Sequence, residues 1–475
     1  MLIGRLHEQE QLMQAYESKE AEFVAVYGRR RVGKTFLVKE TFRHRFTFHH
    51  SGLNNAGRKE QLAAWRQSLE YAGHHCDHTP KDWMEAFKEL RDLIIASKDK
   101  KKVIFIDEMP WMDTQGSSFV TWLEWFWNGW ASGRPDVLLI VCGSAASWII
   151  NKVFRNRGGL HNRVTYRIPV EPFTLGECEQ MAEALGMKYT QYDVLETYMV
   201  LGGIPYYWTL LNKRKSVAGN IDALLFARNG NLHYEFNELF RSLFRQPENY
   251  IKVVTALASK QSGLTRNEII ATAGLQNNGT TSRMLEELEQ CGFITFSYPF
   301  GGGTSKVIYH LIDNFTLFYF RFLKSAHSTD ENFWSNNVQS PRRRAWAGLA
   351  FEHVCFQHVP QIKQALGIGG ISTSISSWKC EPNEAYEQGA QIDMIIERAD
   401  NVINICEMKF ASDEFAIDKA TDMNLRNKLG QFRYVTKTRK ALHLTLITTY
   451  GLKRNGYHGT AQSEVTMNNL FAMIP

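Results

Sequence analysis

The sequence predicts an α/β chain that begins with a parallel sheet built to hold phosphate, and three observations carry that expectation. Apolar, strand-like runs at 23–27, 103–107 and 137–142 alternate with helical patterns, as in a parallel sheet with crossover helices. The first run leads directly into Gly28-Arg29-Arg30-Arg31-Val32-Gly33-Lys34-Thr35, an unbroken G-x-x-x-x-G-K-[ST] loop, and a helix pattern continues from Thr35 to Phe42. Beyond about residue 171 the strands stop, and the pattern to about 245 is helical, interrupted by Gly202-Gly203-Ile204-Pro205.

Strand, glycine loop and helix start are the parts a nucleoside triphosphate needs. Gly28 and Gly33 let the backbone curl so that its N–H groups face a polyphosphate, and the helix N-terminus adds a partial positive charge. Lys34 reaches the β- and γ-phosphates, and the Thr35 hydroxyl can ligate Mg²⁺. Residues Gly28 to Phe36 are therefore the expected binding segment for ATP with Mg²⁺.

The second run, Val103-Ile-Phe-Ile-Asp107-Glu108, ends in two carboxylates. In an enzyme with a phosphate loop the first orders the Mg²⁺ shell and the second polarises the attacking water, roles that suit Asp107 and Glu108. The third run ends at Ser144, which can sense the γ-phosphate or cap the helix that follows. Arg155, Arg157 and Arg163 come next; one of them can serve as an arginine finger, from this chain or a neighbouring subunit, or all can be surface charge. Arg163 is the first choice for the finger.

At 475 residues the chain needs about three units of ordinary domain size. Hydrophobic residues at 44% and charged residues at 22% exclude global disorder, and a formal charge of +6 permits nucleic-acid contact without arguing for it. Seven dispersed cysteines with no C-x-x-C pair suit a reducing compartment better than a disulfide framework or zinc knuckle. His74-His75-Cys76-Asp77-His78 reads as a polar loop, because adjacent residues do not easily converge on one ion. No signal peptide is apparent, and the longest apolar run, 137–141, falls far short of the ~20 residues of a membrane helix, so a cytoplasmic protein is expected. Trp111, Trp122, Trp125, Trp127 and Trp130 form a dense aromatic stretch that serves core packing or, alternatively, a partner surface.

Residues 249–312 read as a winged helix: helical stretches at 249–259 and 265–272, a helix over 278–291, then strands at 293–298 and 306–311 around a tip at 301–303. Thr280, Thr281, Ser282 and Arg283 can face a DNA duplex. Against that, Arg266, Arg283 and Lys306 are outnumbered by Glu268, Glu286, Glu287 and Glu289, so structural or protein-docking use stays open.

Leu2-Ile-Gly-Arg5 with Glu8, the loop 28–35, Asp107-Glu108, Cys142-Gly-Ser144, Asn162-Arg163, Gly202-Gly-Ile-Pro205 and Tyr309-His-Leu-Ile-Asp313 together resemble the prokaryotic family often called archaeal ATPases, among the AAA+ and STAND-like P-loop proteins. The resemblance spans nearly the whole chain. It implies a P-loop ATPase core over 1–170, a helical lid over 171–245, a winged helix over 246–312, and self-association into a homo-oligomer. The arginines at 29–31 are typical of that family's loop. It also implies that 313–475 is an α/β domain of the restriction-endonuclease, or PD-(D/E)XK nuclease, type.

The residues that match the nuclease pattern are Glu352 on an apolar helix, Asp393 in Gln391-Ile-Asp-Met-Ile-Ile396, and Glu407-Met-Lys409. Strand residues two apart share a face at ~7 Å spacing, so Glu407 and Lys409 project together. A hairpin turning about Asp400 sets Asp393 opposite Glu407. Such a pair can hold a second Mg²⁺ or Mn²⁺, with Glu352 completing the shell and Lys409 orienting water or stabilising developing charge; read from spacing alone, the set is also an ordinary solvent-facing hairpin. Gln431 on the next helix can reach substrate or water, and Pro341-Arg-Arg-Arg344 either guides a phosphate backbone or is a solvated linker. The leading expectation is an ATP-driven switch that gates a nuclease-like domain on DNA. The competing one is a non-cleaving regulatory NTPase whose last domain docks DNA or protein; a DNA-binding regulator comes third, disfavoured by the acidic content of 278–291.

Overall fold

A computed structural model of the chain describes all residues except Met1, 156–158, His161, Arg245, Gln261, 303–305, 325–329, Asn383 and Pro475. Two compact units result, Met1–Pro172 and Phe173–Pro475. The first boundary expected from sequence lay at 170/171; the three further segments expected as separate domains fall within one unit.

The first unit is a five-stranded sheet of β1 (Glu22–Tyr27), β2 (Phe48–Ser51), β3 (Lys102–Asp107), β4 (Val137–Gly143) and β5 (Tyr166–Pro169). The order is β2-β3-β4-β1-β5 and every pairing is parallel. Residues of both parities in β1 and β4 are buried, which is why these strands read as unbroken apolar runs. On one face Phe23, Ala25, Ile104, Ile106, Leu139 and Val141 join a core with Trp65, Trp83, Phe87, Phe119 and Phe126. Those aromatics come from helices Arg58–Tyr71, Trp83–Ala96 and Phe119–Gly129. Within the tryptophan-rich stretch Trp127 is core, whereas Trp125 is 47% exposed.

In the second unit the helices Leu175–Ala184, Gln191–Leu201, Pro205–Thr209, Val217–Ile221 and Glu235–Leu243 come first. Two of them begin with reciprocal capping boxes, Thr174 with Glu177 and Thr190 with Asp193. At Gly203 a Cβ would sit 1.8 Å from the Phe173 carbonyl oxygen, so only glycine lets the two segments cross. Helix Pro247–Ala258, β6 (Leu264–Thr265), helices Arg266–Ala273 and Gly279–Gln290, β7 (Ile294–Pro299) and β8 (Ile308–Leu311) follow. After helix Pro341–Gln357 come β9 (Thr373–Cys380), β10 (Ala390–Arg398), β11 (Val402–Lys409), helix Lys419–Thr436, β12 (Ala441–Thr448) and β13 (Ser463–Thr466).

All eight strands belong to one sheet, ordered β13-β12-β11-β10-β9-β7-β8-β6. The expected boundary at 312/313 cuts across it, because β7 runs parallel to β9 through Tyr298↔Ser376 and Pro299↔Ser377. Phe300 then inserts its ring 4.9 Å from Phe432 of the C-terminal core. Strands β9, β10 and β11 form an antiparallel meander, and β12 and β13 continue parallel to β11. Among the described residues no helix is long and apolar enough to cross a membrane.

Candidate functional site

Strand order creates the first site. With β4 between β1 and β3, and Tyr27 level with Gly143 and Ile106 with Val141, the loops after all three strands leave from one edge of the sheet. Gly28 begins the phosphate loop at φ +147°, and a Cβ there would lie 2.3 Å from the Val170 carbonyl oxygen. Gly33, at φ +92°, starts helix Lys34–Thr41.

Lys34 is buried, and its Nζ donates to the Arg29 carbonyl at 2.7 Å, inside its own loop. The Thr35 hydroxyl donates to Asp107 Oδ2 at 2.8 Å, and Asp107 Oδ1 accepts from the Glu108 N–H at 2.9 Å. A hydroxyl and a carboxylate oxygen side by side are the hard donors Mg²⁺ prefers, so these residues fit that ion. Arg29 is buried, Arg30 and Arg31 are half-buried, Val32 is core, and Phe36 is 48% exposed beyond the loop.

Glu108 sits at φ +46°, and its carboxylate accepts from the Ser144 N–H at 3.1 Å and from the Ser144 hydroxyl. Ser144 thus grips the expected water-polarising residue, a pairing that sequence reading missed because nothing local joins β3 to β4. Pro110 packs so tightly over Gly143 that a Cβ would meet its ring at 2.7 Å. Gln61, fully buried, ties the neighbouring loops together: it accepts from the Leu53 N–H at 3.0 Å and donates to the carbonyls of Leu53 at 2.7 Å and Trp111 at 3.1 Å.

Arg5 explains the first short motif. Buried and ion-paired with Glu8 at 3.2 Å, it donates to the carbonyls of Val32, at 3.3 Å, and Glu171, pinning the phosphate loop from beneath. Arg163 differs from expectation as a finger within the chain. It is exposed and precedes β5, whose entry is fixed by Thr165 N–H donating to the Phe23 carbonyl at 2.8 Å, at the start of β1. The phosphate loop leaves the far end of β1, roughly 15 Å away at ~3.3 Å per residue, so Arg163 does not face its own chain's loop. Arg155 is exposed and Arg157 lies outside the described residues.

The C-terminal carboxylates form a second cluster, within the second unit. The β10–β11 register pairs Met394 with Cys406, which sets Asp393 across from Glu407. On its other side β10 slips register against β9 between Ile392 and Ile395, so Asp393 stands in a β-bulge, a device that re-aims a side chain. Glu407 is held on both oxygens, by Lys409 at 2.8 Å and by Lys428 of helix Lys419–Thr436 at 2.7 Å. These lysines keep its carboxyl below the usual range despite burial. Glu352 lies on the helix that packs against β11, and burial, then the charges of Asp393 and Glu407, push its carboxyl up to about 7.

Lys428 was not foreseen. Gln431, one turn on, is buried and accepts from the Cys380 thiol at 3.2 Å. Of the three expected backbone-guiding arginines, Arg343 is buried, paired with Glu196 at 3.1 Å and stacked over Trp334, and therefore braces the helix bundle. Thr281 of the helix Gly279–Gln290 is buried with its hydroxyl on the Gln276 carbonyl, leaving Thr280, Ser282 and Arg283 exposed.

Comparison with known proteins fits this geometry. Residues 2–211 match the family described as an ATPase domain predominantly from Archaea. An uncharacterized protein of Methanocaldococcus jannaschii is 24% identical over 409 residues, covering 83% of this chain and 84% of that one. Among solved structures a Walker-type ATPase of Pyrococcus abyssi superposes with a TM-score of 0.50 at 17% identity, over 68% of this chain and 96% of its own. The ORC2 protein of Aeropyrum pernix, solved in ADPNP–ADP complexes, gives 0.41 at 13% identity, over 71% of this chain and 96% of that one. Residues 2–211 are thus similar to the ATPase domains found predominantly in Archaea, and the α/β fold is that of a Walker-type ATPase.

Proposed function

We propose that the chain is an ATP-hydrolysing switch of the AAA+/STAND type that gates a DNA-directed, metal-dependent nuclease-like domain. The observation that carries the first half is the Thr35–Asp107 hydrogen bond of 2.8 Å beside the buried Lys34. In the proposed cycle the phosphates of ATP take Lys34 Nζ from the Arg29 carbonyl, and the loop N–H groups surround the β-phosphate. Mg²⁺, held by Thr35 and Asp107, would neutralise charge between the phosphates. Glu108 accepts a proton from the attacking water once Ser144 releases it.

For the second half, helix 341–357, the three-strand meander and the helix 419–436 gather Glu352, Asp393, Glu407 and Lys409 in one field of charge. Asp393 and Glu407 are the expected ligands of the second Mg²⁺ or Mn²⁺. Residues 246–312 act as a winged helix, whose element order they share, and DNA and a second copy of the chain are the proposed partners. Tyr192 of helix Gln191–Leu201 stacks on Phe410 at 5.6 Å, one residue beyond Lys409, which supports a mechanical link from lid to cluster.

A second reading has its own support. Both oxygens of Glu407 are occupied by lysines, and Glu352, Asp393 and Glu407 are not among the described groups of three whose ligand atoms lie within 4.8 Å of one another. That favours a docking domain that binds DNA or protein without cutting. ATPase and cleavage assays on the wild type, Lys34→Ala and Lys409→Ala, with DNA and Mg²⁺ or Mn²⁺, separate the two. Lys34→Ala should lose ATP turnover by about 100-fold or more, and Lys409→Ala should keep it while losing cleavage. Uncut DNA with the wild type under both metals leaves the docking reading standing.

A further inference from the structure

The loop between helices Arg58–Tyr71 and Trp83–Ala96 holds a cluster that nucleotide chemistry does not use. His74, Cys76 and Glu89 place an imidazole nitrogen, a thiol sulfur and a carboxylate oxygen within 4.8 Å of one another. His74 Nε2 and Glu89 Oε2 already meet at 2.7 Å. The loop alternates outward and inward: the side chains of His75 and Asp77 are 83% and 94% exposed, while Cys76 is only 2% exposed. Arg66 fixes that alternation, donating to the Cys76 carbonyl at 3.1 Å and to Glu70 at 2.9 Å. His78 pairs instead with Glu85 at 3.0 Å and stands apart. Read along the sequence, the histidines and cysteine are too close together to converge; the third corner comes from Glu89 on the facing helix.

We propose that His74, Cys76 and Glu89 form a binding site for one borderline-soft divalent cation of the Zn²⁺ type. One sulfur, one nitrogen and one oxygen donor suit such an ion and not Mg²⁺, whose preferred donors are oxygens. On binding, the Cys76 thiol proton leaves to solvent, the metal replaces the His74–Glu89 hydrogen bond, and water takes the fourth position. The ion would clip the loop to helix Trp83–Ala96, one wall of the first unit's core.

Titrating the full chain with Co²⁺ in excess Mg²⁺ tests this, because excess Mg²⁺ fills the oxygen-lined nucleotide site and cobalt bound to thiolate shows a charge-transfer absorption. One equivalent per chain is expected, with the band absent in Cys76→Ser and affinity at least tenfold weaker in His74→Ala and Glu89→Gln. Zn²⁺ should raise the melting temperature of the wild type and not of Glu89→Gln. No band in the wild type, or a band unchanged in Cys76→Ser, overturns the proposal. Should Cys76→Ser fail to fold, unchanged affinity in both other variants overturns it equally.

Discussion

At the scale of single residues, Glu352 and Ser144 make the sharpest predictions. Burial, then the charges of Asp393 and Glu407, push the Glu352 carboxyl up to about 7 in the folded chain, so folding favours its protonated form up to that pH. Its contribution to stability is present below about pH 4.5 and lost as pH rises through 7. Glu352→Gln, fixed in the neutral form, should therefore gain stability over the wild type on moving from acid to mildly alkaline solution, by about 2 kcal/mol, read from urea midpoints. Ser144→Ala removes the hydroxyl that grips Glu108 and keeps the main-chain N–H at 3.1 Å. Its effect should fall on kcat, about tenfold, with nucleotide affinity little changed. The pairing of Asp393 with Glu407 was legible because a hairpin's register follows from its turn. The bulge at Asp393 was not, since it arises against β9, a strand whose pattern is half polar. Lys428 was equally illegible: a lone lysine in a polar helix carries no signal until the helix is laid over Glu407.

Elements show the same division. The phosphate-loop strand, its helix and the acid-tipped β3 could be read because each is both strongly patterned and chemically marked. So could the helix expected over 265–272, which in the structure starts from a reciprocal Thr265–Glu268 box. Strands β2 and β5 were not read, being four-residue edges with His49, His50 and Arg167 among their side chains. The junction of β7 with β9 was invisible for a different reason: two segments far apart in sequence pair there. Phe300→Ala should lower the stability of the second unit by about 1–3 kcal/mol, since the ring against Phe432 is half-buried. Urea unfolding should show the loss, while ATP turnover in the first unit stays near the wild-type rate.

For the molecule as a whole, acid sensitivity is the main expectation. Burial depresses His50 to about 3 and both His353 and His358 to about 4. His358 shows why: its Nε2 accepts from the Leu175 N–H at 3.0 Å while Nδ1 bonds the Val354 carbonyl at 2.8 Å, so a second proton would displace the Leu175 bond. Groups of this kind give stability that is whole above about 6.5 and falls as the pH drops towards 4. Both units should lose urea resistance over that window, and His358→Gln should flatten the decline in the second. The seam between β7 and β9 has a mechanical counterpart. Eight strands share a load along one ladder, yet that ladder narrows to two residue pairs where the short margin strand β6 meets β8 and again, inside the sheet, where β7 meets β9. Pulled apart by β8 and β13, the sheet tears at the inner of these joints first, as perforated paper does, and the segments on either side come away intact.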